Sequence, residues 1–384
     1  MIGYLVSLII FTATYALFSL GLNLQWGFTG LINFGHVAFM TVGAYTTVLL
    51  SVKGVPLVIA TVIGAALAAV LGLTLGVSTL RLREDYLAIV TIGASEVVRL
   101  IALNEEWLTR GPLGIPNYPL PLEELTRPTL FSKIGMIALW TAIFVLAGWQ
   151  LVQWMRRRVD RLGREMAVDK KPPVSVMKLI WGAAAVILGL VLYGAGAIAL
   201  SNYSYKAGLM LLLVTVLALV YWRLEVLVKS PWGRVLKAIR EDEEVAKALG
   251  KNVFWYKLQA LILGGAIAGI AGAFYAWNLT FINPDGFIPL ITFQAWIIVV
   301  LGGTGNNAGT LLGAVIYWAY YSGTRFLPDL LQALHSIMPV VPVSIDDARL
   351  GAFRIMVIGL LLIVLMMARP QGILGKKEEL TLGR

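Results

Sequence analysis

The chain has 384 residues, of which 59% are hydrophobic and only 14% are charged, and its mean hydropathy is +0.81. Soluble domains are nearer one quarter charged, so this composition excludes an ordinary soluble protein and predicts a polytopic membrane protein. The lack of cysteine excludes disulfides and thiolate metal sites, and the net charge of +10 lies in a few loops, which argues against a nucleic-acid partner.

Eleven apolar segments approach the length of about 20 residues that spans a bilayer. They lie at about 3–22, 29–50, 57–79, 86–103, 134–154, 179–200, 206–223, 258–278, 289–302, 309–324 and 350–368. The first basic residue of the chain is Lys53, so the N-terminal stretch lacks the basic region of a signal peptide and is expected to remain as a spanning helix. We therefore predict an all-α fold, a polytopic transmembrane helical bundle of about 11 segments in one transmembrane domain over 1–384.

Basic residues cluster in three places, and these clusters predict the orientation of the segments, because cytoplasmic loops collect Lys and Arg. The clusters lie in 155–178, in 223–257 and in the tail after 368. An even number of predicted segments separates each pair of clusters, so all three can lie in the cytoplasm. The N-terminus and the loops at 51–56, 104–133, 279–288 and 325–349 then lie outside.

Two glycine-rich stretches interrupt the apolar pattern, one in each half of the chain. They are GFTG at Gly27–Gly30 and GGTG at Gly302–Gly305. Glycine-interrupted segments at corresponding places in two halves are typical of a transport pathway built from repeats. We predict two pseudo-repeat halves with broken or re-entrant helices, and whether these segments span or re-enter stays open.

The stretch 229–252, KSPWGRVLKAIREDEEVAKALGKN, is strongly charged although it lies between two apolar segments. Ser230-Pro231 predicts a helix start, and Gly250 predicts a helix end. Apolar residues at helical spacing share one face: Val235, Ile239, Ala246, Leu249 and Val253. The acidic run 241–244 would repel anionic headgroups, so a cytoplasmic protein partner explains this amphipathic helix better than a lipid surface does. A solvated connecting helix is the alternative.

Four stretches, in order along most of the chain, carry a family resemblance. They are GFTGLINFGHVAFMTVGAY (27–45), RLREDYLAIVTIGASEVVRL with TRGPLGI (81–115), SPWGRVLKAIREDEEVAKALGKN (230–252) and VVLGGTGNNAGTLLGAVI (299–316). Together they resemble LivH/LivM-type permeases, the membrane subunits of branched-chain amino-acid ATP-binding-cassette (ABC) importers. The chain departs from the usual pattern at Thr310, where the family commonly has Pro.

The resemblance implies a multi-pass permease of the bacterial inner membrane that is not itself an enzyme. Besides membrane lipid, the implied partners are a homologous second permease subunit, two cytoplasmic ATPase subunits and a periplasmic solute-binding protein. ATP and Mg would be bound by the ATPases and no cofactor by this chain, which has no G-x-x-x-x-G-K-[ST] phosphate-binding motif. Neutral and branched-chain amino acids are the first choice of solute, and urea or short amides are the second.

An autonomous secondary transporter is the rival from another class. It would need ion-coupling carboxylates within the spans, and Glu96 is nearly alone there. Glu96 and Arg99 lie three residues apart on one helix face, and a structural ion pair is favoured over direct contact with the solute. The two histidines, His36 and His335, lack neighbours at metal-ligand spacing, so no metal site is expected.

The resemblance assigns roles to residues of the matching stretches. Coupling to the ATPases is expected from Gly233, Arg234, Ala238, Arg240, Glu241, Glu243, Ala246, Leu249 and Gly250. The translocation pathway is expected to involve Gly30, Asn33, Gly35, His36, Gly302, Gly303 and Gly305. For His36, a helix cap or a hydrogen bond within the glycine-rich segment Gly27–Gly43 is the alternative. Four tryptophans near predicted span ends are expected in interfacial belts: Trp149, Trp154, Trp277 and Trp296.

One region departs from the LivM pattern. About seventy residues at 134–205 separate the turn TRGPLGI from the span before the charged stretch, and we predict an inserted helical hairpin with a basic cytoplasmic loop at 155–178. The basic loop would hold the hairpin in its orientation. Binding of anionic lipid by the same loop is the alternative.

Overall fold

The structure, a computed structural model, describes residues 2–82, 84–123, 128–168, 176–337, 346–368 and 371–375. Its helices are α1 Ile2–Leu22, α2 Val37–Val52, α3 Leu57–Thr79, α4 Glu84–Asn104, α5 Glu106–Thr109, α6 Leu130–Val168, α7 Val176–Ser201, α8 Tyr205–Lys229, α9 Pro231–Glu241, α10 Glu243–Ala248, α11 Val253–Leu279, α12 Leu290–Gly302, α13 Asn307–Gly323, α14 Leu327–Ile337 and α15 Asp347–Ala368. A π-helical stretch, Asn23–Gly27, continues α1. The predicted all-α fold is confirmed.

Eight helical stretches in the described part of the chain are long and apolar enough to cross a membrane. They are Ile2–Gly27, Leu57–Thr79, Tyr86–Asn104, Leu130–Gln150, Tyr205–Lys229, Val253–Leu279, Pro284–Gly302 and Ala348–Leu365. Val37–Val52 and Gly189–Ser201 are shorter apolar helices. Each of these ten stretches overlaps one predicted segment, so hydropathy located them correctly, whereas the total of eleven crossings stays a prediction.

The chain divides into two compact units, residues 1–10 with 122–218, and residues 11–121 with 219–384. In the first unit, α6 packs against α7 around Trp140, which is 1% exposed. The Trp140 indole N–H donates to the Tyr193 carbonyl at 3.2 Å, and the ring lies where a side chain on Gly196 would otherwise be. A buried indole needs such an acceptor in an apolar surrounding, so this bond orients the two helices.

The core of the second unit is formed by α2, α3 and α11, which approach through small residues. Helix α3 buries one residue every fourth position: Ala60, Gly64, Ala68, Gly72 and Gly76. The backbones of Gly43 on α2 and Gly269 on α11 lie so close that a Cβ on either would overlap its neighbours. Small residues allow this approach in lipid, where packing rather than water exclusion holds helices together.

Two short segments tie the predicted outer ends of the helices together. Strands β1 Ile115–Pro116 and β2 Phe281–Ile282 pair antiparallel. The Tyr118 hydroxyl donates to the Ala276 carbonyl near the end of α11 at 2.5 Å. The loop after α4 is therefore fixed to the turn after α11.

Candidate functional site

The charged stretch begins where the sequence predicts but is not one helix. Helix α9 starts at Pro231, and α10 ends at Ala248, with Gly250 at φ +73°. The prediction of a single helix is wrong because Asp242 is extended, with φ −157°, and its carboxylate accepts from the Val245 N–H at 3.0 Å. Asp242 thus caps a second short helix, as aspartate commonly does.

The buried face of this coupling segment, residues 231–252, together with the first residue of α11, matches most of the predicted apolar face. Ile239, Ala246 and Val253 form one buried cluster, against which Val235 and Tyr256 pack. Leu249 is an exception because it is 72% exposed. The prediction for Leu249 assumed one continuous helix from Pro231. Because the helix is broken at Asp242, Leu249 no longer lies on the same face as Val235 and Ile239.

The predicted coupling residues divide into an exposed group and an inward group. The exposed residues are Arg234, Ala238, Glu241, Leu249 and Gly250. Gly233 is buried at the tight turn between α8 and α9. It lies so close to the Val228 backbone that an added Cβ would overlap it. The exposed group is available to a partner. The inward group connects the segment to the membrane helices and consists of Gly233, Arg240, Glu243 and Ala246.

An ionic cluster connects α10 to the start of α11. The Glu243 carboxylate receives Lys257 in a short ion pair and Lys247 at 3.1 Å. Burial alone would raise the pKa of Glu243, but the hydrogen bonds and positive charges of Lys257 and Lys247 outweigh it and hold that pKa below its usual range. Glu243 therefore stays ionised at neutral pH.

Arg240 connects the coupling segment to both glycine-rich interruptions. Its guanidinium donates to the Gly27 carbonyl at the end of the first helix. Gly305, from the second interruption, is so close that an added Cβ would lie 2.5 Å from Arg240 Nη1 and 2.7 Å from the Gly27 carbonyl oxygen. A Cβ on Gly30 would lie 3.5 Å from Arg240 Cγ. One side chain of α9 thus meets the two predicted pathway stretches at a single place.

The first interruption is held by buried side-chain hydrogen bonds. Asn33 is 2% exposed; its amide N–H donates to Gln25 Oε1 at 2.9 Å, and its Oδ1 accepts from the Gly35 N–H at 2.9 Å. The Phe34 N–H donates to Thr91 Oγ1 on α4 at 3.1 Å. The bonds to the Phe34 and Gly35 N–H groups satisfy backbone donors that have no helical partner where the helix is interrupted.

His36 lies at the start of α2, is fully buried, and packs against the Phe18 and Phe39 rings. Its Nε2 lies 3.2 Å from the Phe18 carbonyl oxygen, while Nδ1 is buried with no hydrogen-bond partner among the described residues. The Phe18 carbonyl lies outside the segment Gly27–Gly43 and the His36 side chain makes no cap bond to α2, so the structure does not show the bonding that the alternative for His36 expects. Pathway lining stays a prediction for both Asn33 and His36.

The second interruption, between α12 and α13, is held partly by the far end of the chain. Gly302 and Gly309 pack backbone against backbone, and Gly303 has φ +116°, which only glycine adopts readily. The backbone N–H groups of residues 373 and 374 donate to the carbonyls of Leu301 and Gly302 at 3.1 and 2.9 Å. Residues 371–375 thereby satisfy carbonyl groups that the end of α12 leaves free.

A buried polar relay was missed by the sequence analysis. Asn23 in the π-helical stretch accepts from the Gly305 N–H at 3.0 Å and donates to Asn307 Oδ1 at 3.1 Å. Asn307, 1% exposed, donates to Glu225 Oε1 at 3.2 Å, and Glu225 pairs with Lys229 at 2.6 Å. The relay therefore joins both interruptions to α8, and the signal that could have found it was a carboxylate, Glu225, close to an apolar segment.

The predicted pair Glu96–Arg99 is formed, and it has a third member. Arg99 Nη2 lies 2.5 Å from Glu96 Oε1, and Nη1 lies 3.1 Å from Asp285 Oδ1 in the turn after β2. This arrangement fixes that turn, a 3₁₀ stretch at Pro284–Phe287, to α4. The three side chains form an ion triad with a structural role. This agrees with the structural ion pair that the spacing of Glu96 and Arg99 in the sequence favours.

Two of the tryptophans predicted for interfacial belts make contacts within the chain. Trp277 is buried, at 3% exposure. Trp296 lies at the middle of α12, where its indole N–H donates to the Asn33 carbonyl at 3.1 Å. Trp149 is exposed at 59%, and the Trp154 side chain lies outside the described residues. The interfacial belt stays a prediction for these residues.

Comparison with known proteins gives one consistent result. The profile of the family described as "Branched-chain amino acid transport system / permease component" matches residues 4–158 and 170–366, and so extends through most of 134–205. The permease LivM of a high-affinity branched-chain amino acid transport system of Escherichia coli (strain K12) is 30% identical over 94% of this chain and 68% of its own length. A probable LivM permease of Methanocaldococcus jannaschii is 26% identical over 96% of this chain and 92% of its own length.

A more distant relative covers less of the chain. The fructose import permease FrcC of Rhizobium meliloti is 29% identical over 38% of this chain and 41% of its own length. No solved structure matches the chain significantly.

Proposed function

The chain belongs to the branched-chain amino acid transport permease family, and on that premise we propose that it is the membrane-spanning permease subunit of an ABC importer for neutral, branched-chain amino acids. The solute enters the cytoplasm with energy from separate ATPase subunits. The relatives that match almost the whole chain carry branched-chain amino acid transport in their names, which supports this solute over urea or short amides.

One observation carries the proposal: Arg240 of the coupling segment meets both helix interruptions. A displacement of α9 would therefore act on Gly27 and Gly305 together, and the hydrogen bond from the Gly305 N–H to Asn23 already joins the two interruptions to each other. Interrupted helices are the elements around which transporters alternate access to a site. Force applied to a cytoplasmic segment would reach the pathway through one guanidinium.

The exposed group of coupling residues is the proposed docking surface for the ATPases. Val245, 55% exposed, lies on α10 between Glu244 and Lys247, and Leu249, 72% exposed, follows the end of α10. Large apolar side chains ringed by charges are typical of protein contacts. The permease would pair with a homologous second permease in the inner membrane, and a periplasmic binding protein would deliver solute to the outer loops.

The experiment that tests the proposal is reconstitution. The chain is coexpressed with a second permease and ATPase subunits from the same organism, purified, placed in proteoliposomes and supplied with the binding protein. We expect ATP-dependent uptake of leucine, isoleucine and valine, no uptake with a non-hydrolysable ATP analogue, and no competition by urea or acetamide. Uptake by the chain alone, driven by an ion gradient, would instead support a secondary transporter.

A further inference from the structure

Residues 371–375 dock on the second interruption, and we name them the tail clip. Two backbone N–H groups of the tail clip donate to the carbonyls of Leu301 and Gly302, the last two residues of α12, at 3.1 and 2.9 Å. The Leu374 carbonyl in turn accepts from Asn306 Nδ2, at the start of α13, at 2.9 Å. The tail clip therefore bonds to both helices that the interruption separates.

The tail clip and the interruption touch backbone against backbone. Gly372 has φ +76°, and an added Cβ there would lie 2.5 Å from Gly303 Cα. A Cβ on Gly303 would lie 2.6 Å from the Gly375 nitrogen. A side chain at Gly372 or Gly303 would therefore separate the two segments, so the contact depends on glycine on both sides. Such a close fit indicates an element that docks at one defined place.

The loop between α12 and α13, residues 303–306, also meets the coupling segment. Its Gly305 N–H donates to Asn23 Oδ1, and Arg240 lies against Gly305. Helix ends fray because their last carbonyls have no partner within the helix. A force that reaches Gly305 through Arg240 would therefore unwind the end of α12 before it moved α13, unless those carbonyls were held. The N–H groups of the tail clip hold two of them.

We infer that the tail clip fixes the end of α12 throughout the transport cycle, so that a movement of the coupling segment turns residues 303–306 and α13 relative to α12. This inference rests on the proposed function and deepens it, since it identifies the positioning residues against which the coupling segment acts. These positioning residues are Asn306 and the tail clip. The tail clip lies beyond residue 366, where the match to the family profile ends.

Two nested truncations separate the tail clip from the residues that follow it. A stop codon after residue 375 removes residues 376–384 and keeps the clip, whereas a stop codon after residue 370 removes both. Leucine uptake per ATP hydrolysed is measured in the reconstituted assembly. We expect the longer truncation to lower this ratio at least about 10-fold, because three hydrogen bonds are lost, and the shorter one to behave like the wild type. The amount of co-purified ATPase and the half-saturating concentration of loaded binding protein should not change in either.

Asn306→Asp tests the tail clip without shortening the chain. Aspartate keeps the acceptor that caps α13, where Asn306 Oδ1 receives the Gly309 N–H at 3.1 Å, but it cannot donate to the Leu374 carbonyl. We expect uptake per ATP to fall about 5-fold, the factor that one ordinary hydrogen bond supplies. In the chain that ends at residue 370 the substitution should have no further effect, since its partner is gone. An unchanged ratio in the full-length Asn306→Asp chain contradicts the inference.

Hydrogen exchange tests whether the tail clip stays docked during the cycle. The amides of residues 373 and 374 should exchange slowly in the wild-type assembly, both without nucleotide and with a non-hydrolysable ATP analogue. Faster exchange with the analogue means that the clip is released, which overturns the inference. If the wild-type assembly takes up leucine and the longer truncation has the same uptake per ATP, the inference fails and the proposed function stands. A wild-type assembly that takes up no leucine refutes the proposed function, and the inference falls with it.

Discussion

Arg240→Ala tests whether the coupling segment is mechanically joined to the helix interruptions. The substitution removes a charge-assisted hydrogen bond to the Gly27 carbonyl and leaves space beside Gly305. A hydrogen bond to a charged group contributes about 1.5–3 kcal/mol. Since about 1.4 kcal/mol corresponds to a factor of ten, the docking equilibrium of α9 on the interruptions should shift roughly 10- to 150-fold.

The consequence is expected in coupling rather than in assembly. Arg240 is half-buried and faces the membrane helices, so ATPases should still bind the exposed residues of the segment. Leucine taken up per ATP hydrolysed in proteoliposomes should fall at least 10-fold, while the ATPases co-purify in normal amount. Arg240→Lys should rescue only partly, because an ammonium lacks the guanidinium fork.

Arg234→Ala is the informative comparison on the same helix. Arg234 is exposed, so its loss should weaken binding of the ATPases and leave uptake per ATP unchanged in the complexes that form. Lys251→Ala, another exposed basic residue, is expected to change neither quantity. An Arg240→Ala variant with wild-type uptake per ATP would refute the mechanical role assigned to this residue.

Three further predictions concern the contacts around this junction. Gly305→Ala should reduce thermal stability, because φ +71° costs a non-glycine residue about 1–2 kcal/mol and the new Cβ meets Arg240; an unchanged melting temperature contradicts this geometry. Asn307→Ala should cost about 2 kcal/mol, since it removes the buried link to Glu225, and a double-mutant cycle with Glu225→Gln should show coupling between the two positions. The lowered pKa of Glu243 means that its ion pairs stabilise the segment above the ordinary value of 4.5 and are lost as the pH falls through the lower, folded value. Hydrogen exchange of α10 should therefore stay constant from pH 8 to 5 after correction for the intrinsic rate, and protection lost near pH 6 would contradict the assignment.

Much of the fold could be predicted from the sequence because bilayer crossing is a local property. About 20 apolar residues in a row have few alternatives to a helix in lipid, where every backbone group must bond within its own segment. The start of α9 at Pro231 and the turn at Gly250 were predictable for the same reason, since each depends on the backbone freedom of one residue. Side-chain spacing within one helix likewise sufficed for Glu96 and Arg99.

The composition and the local pattern of the chain determined the membrane class, the helices and the motifs by which the family is identified. Only the tertiary structure decided which residues share a site. Arg240 reaches Gly27 across 213 positions, and Asn23 reaches Gly305 across 282, so no periodicity within one segment encodes either contact. The contact of Trp296 with the Asn33 carbonyl and the exposure of Leu249 were decided in the same way. Each depends on where a helix is interrupted, and an interruption is stable only when distant side chains supply the hydrogen bonds that the helix gives up.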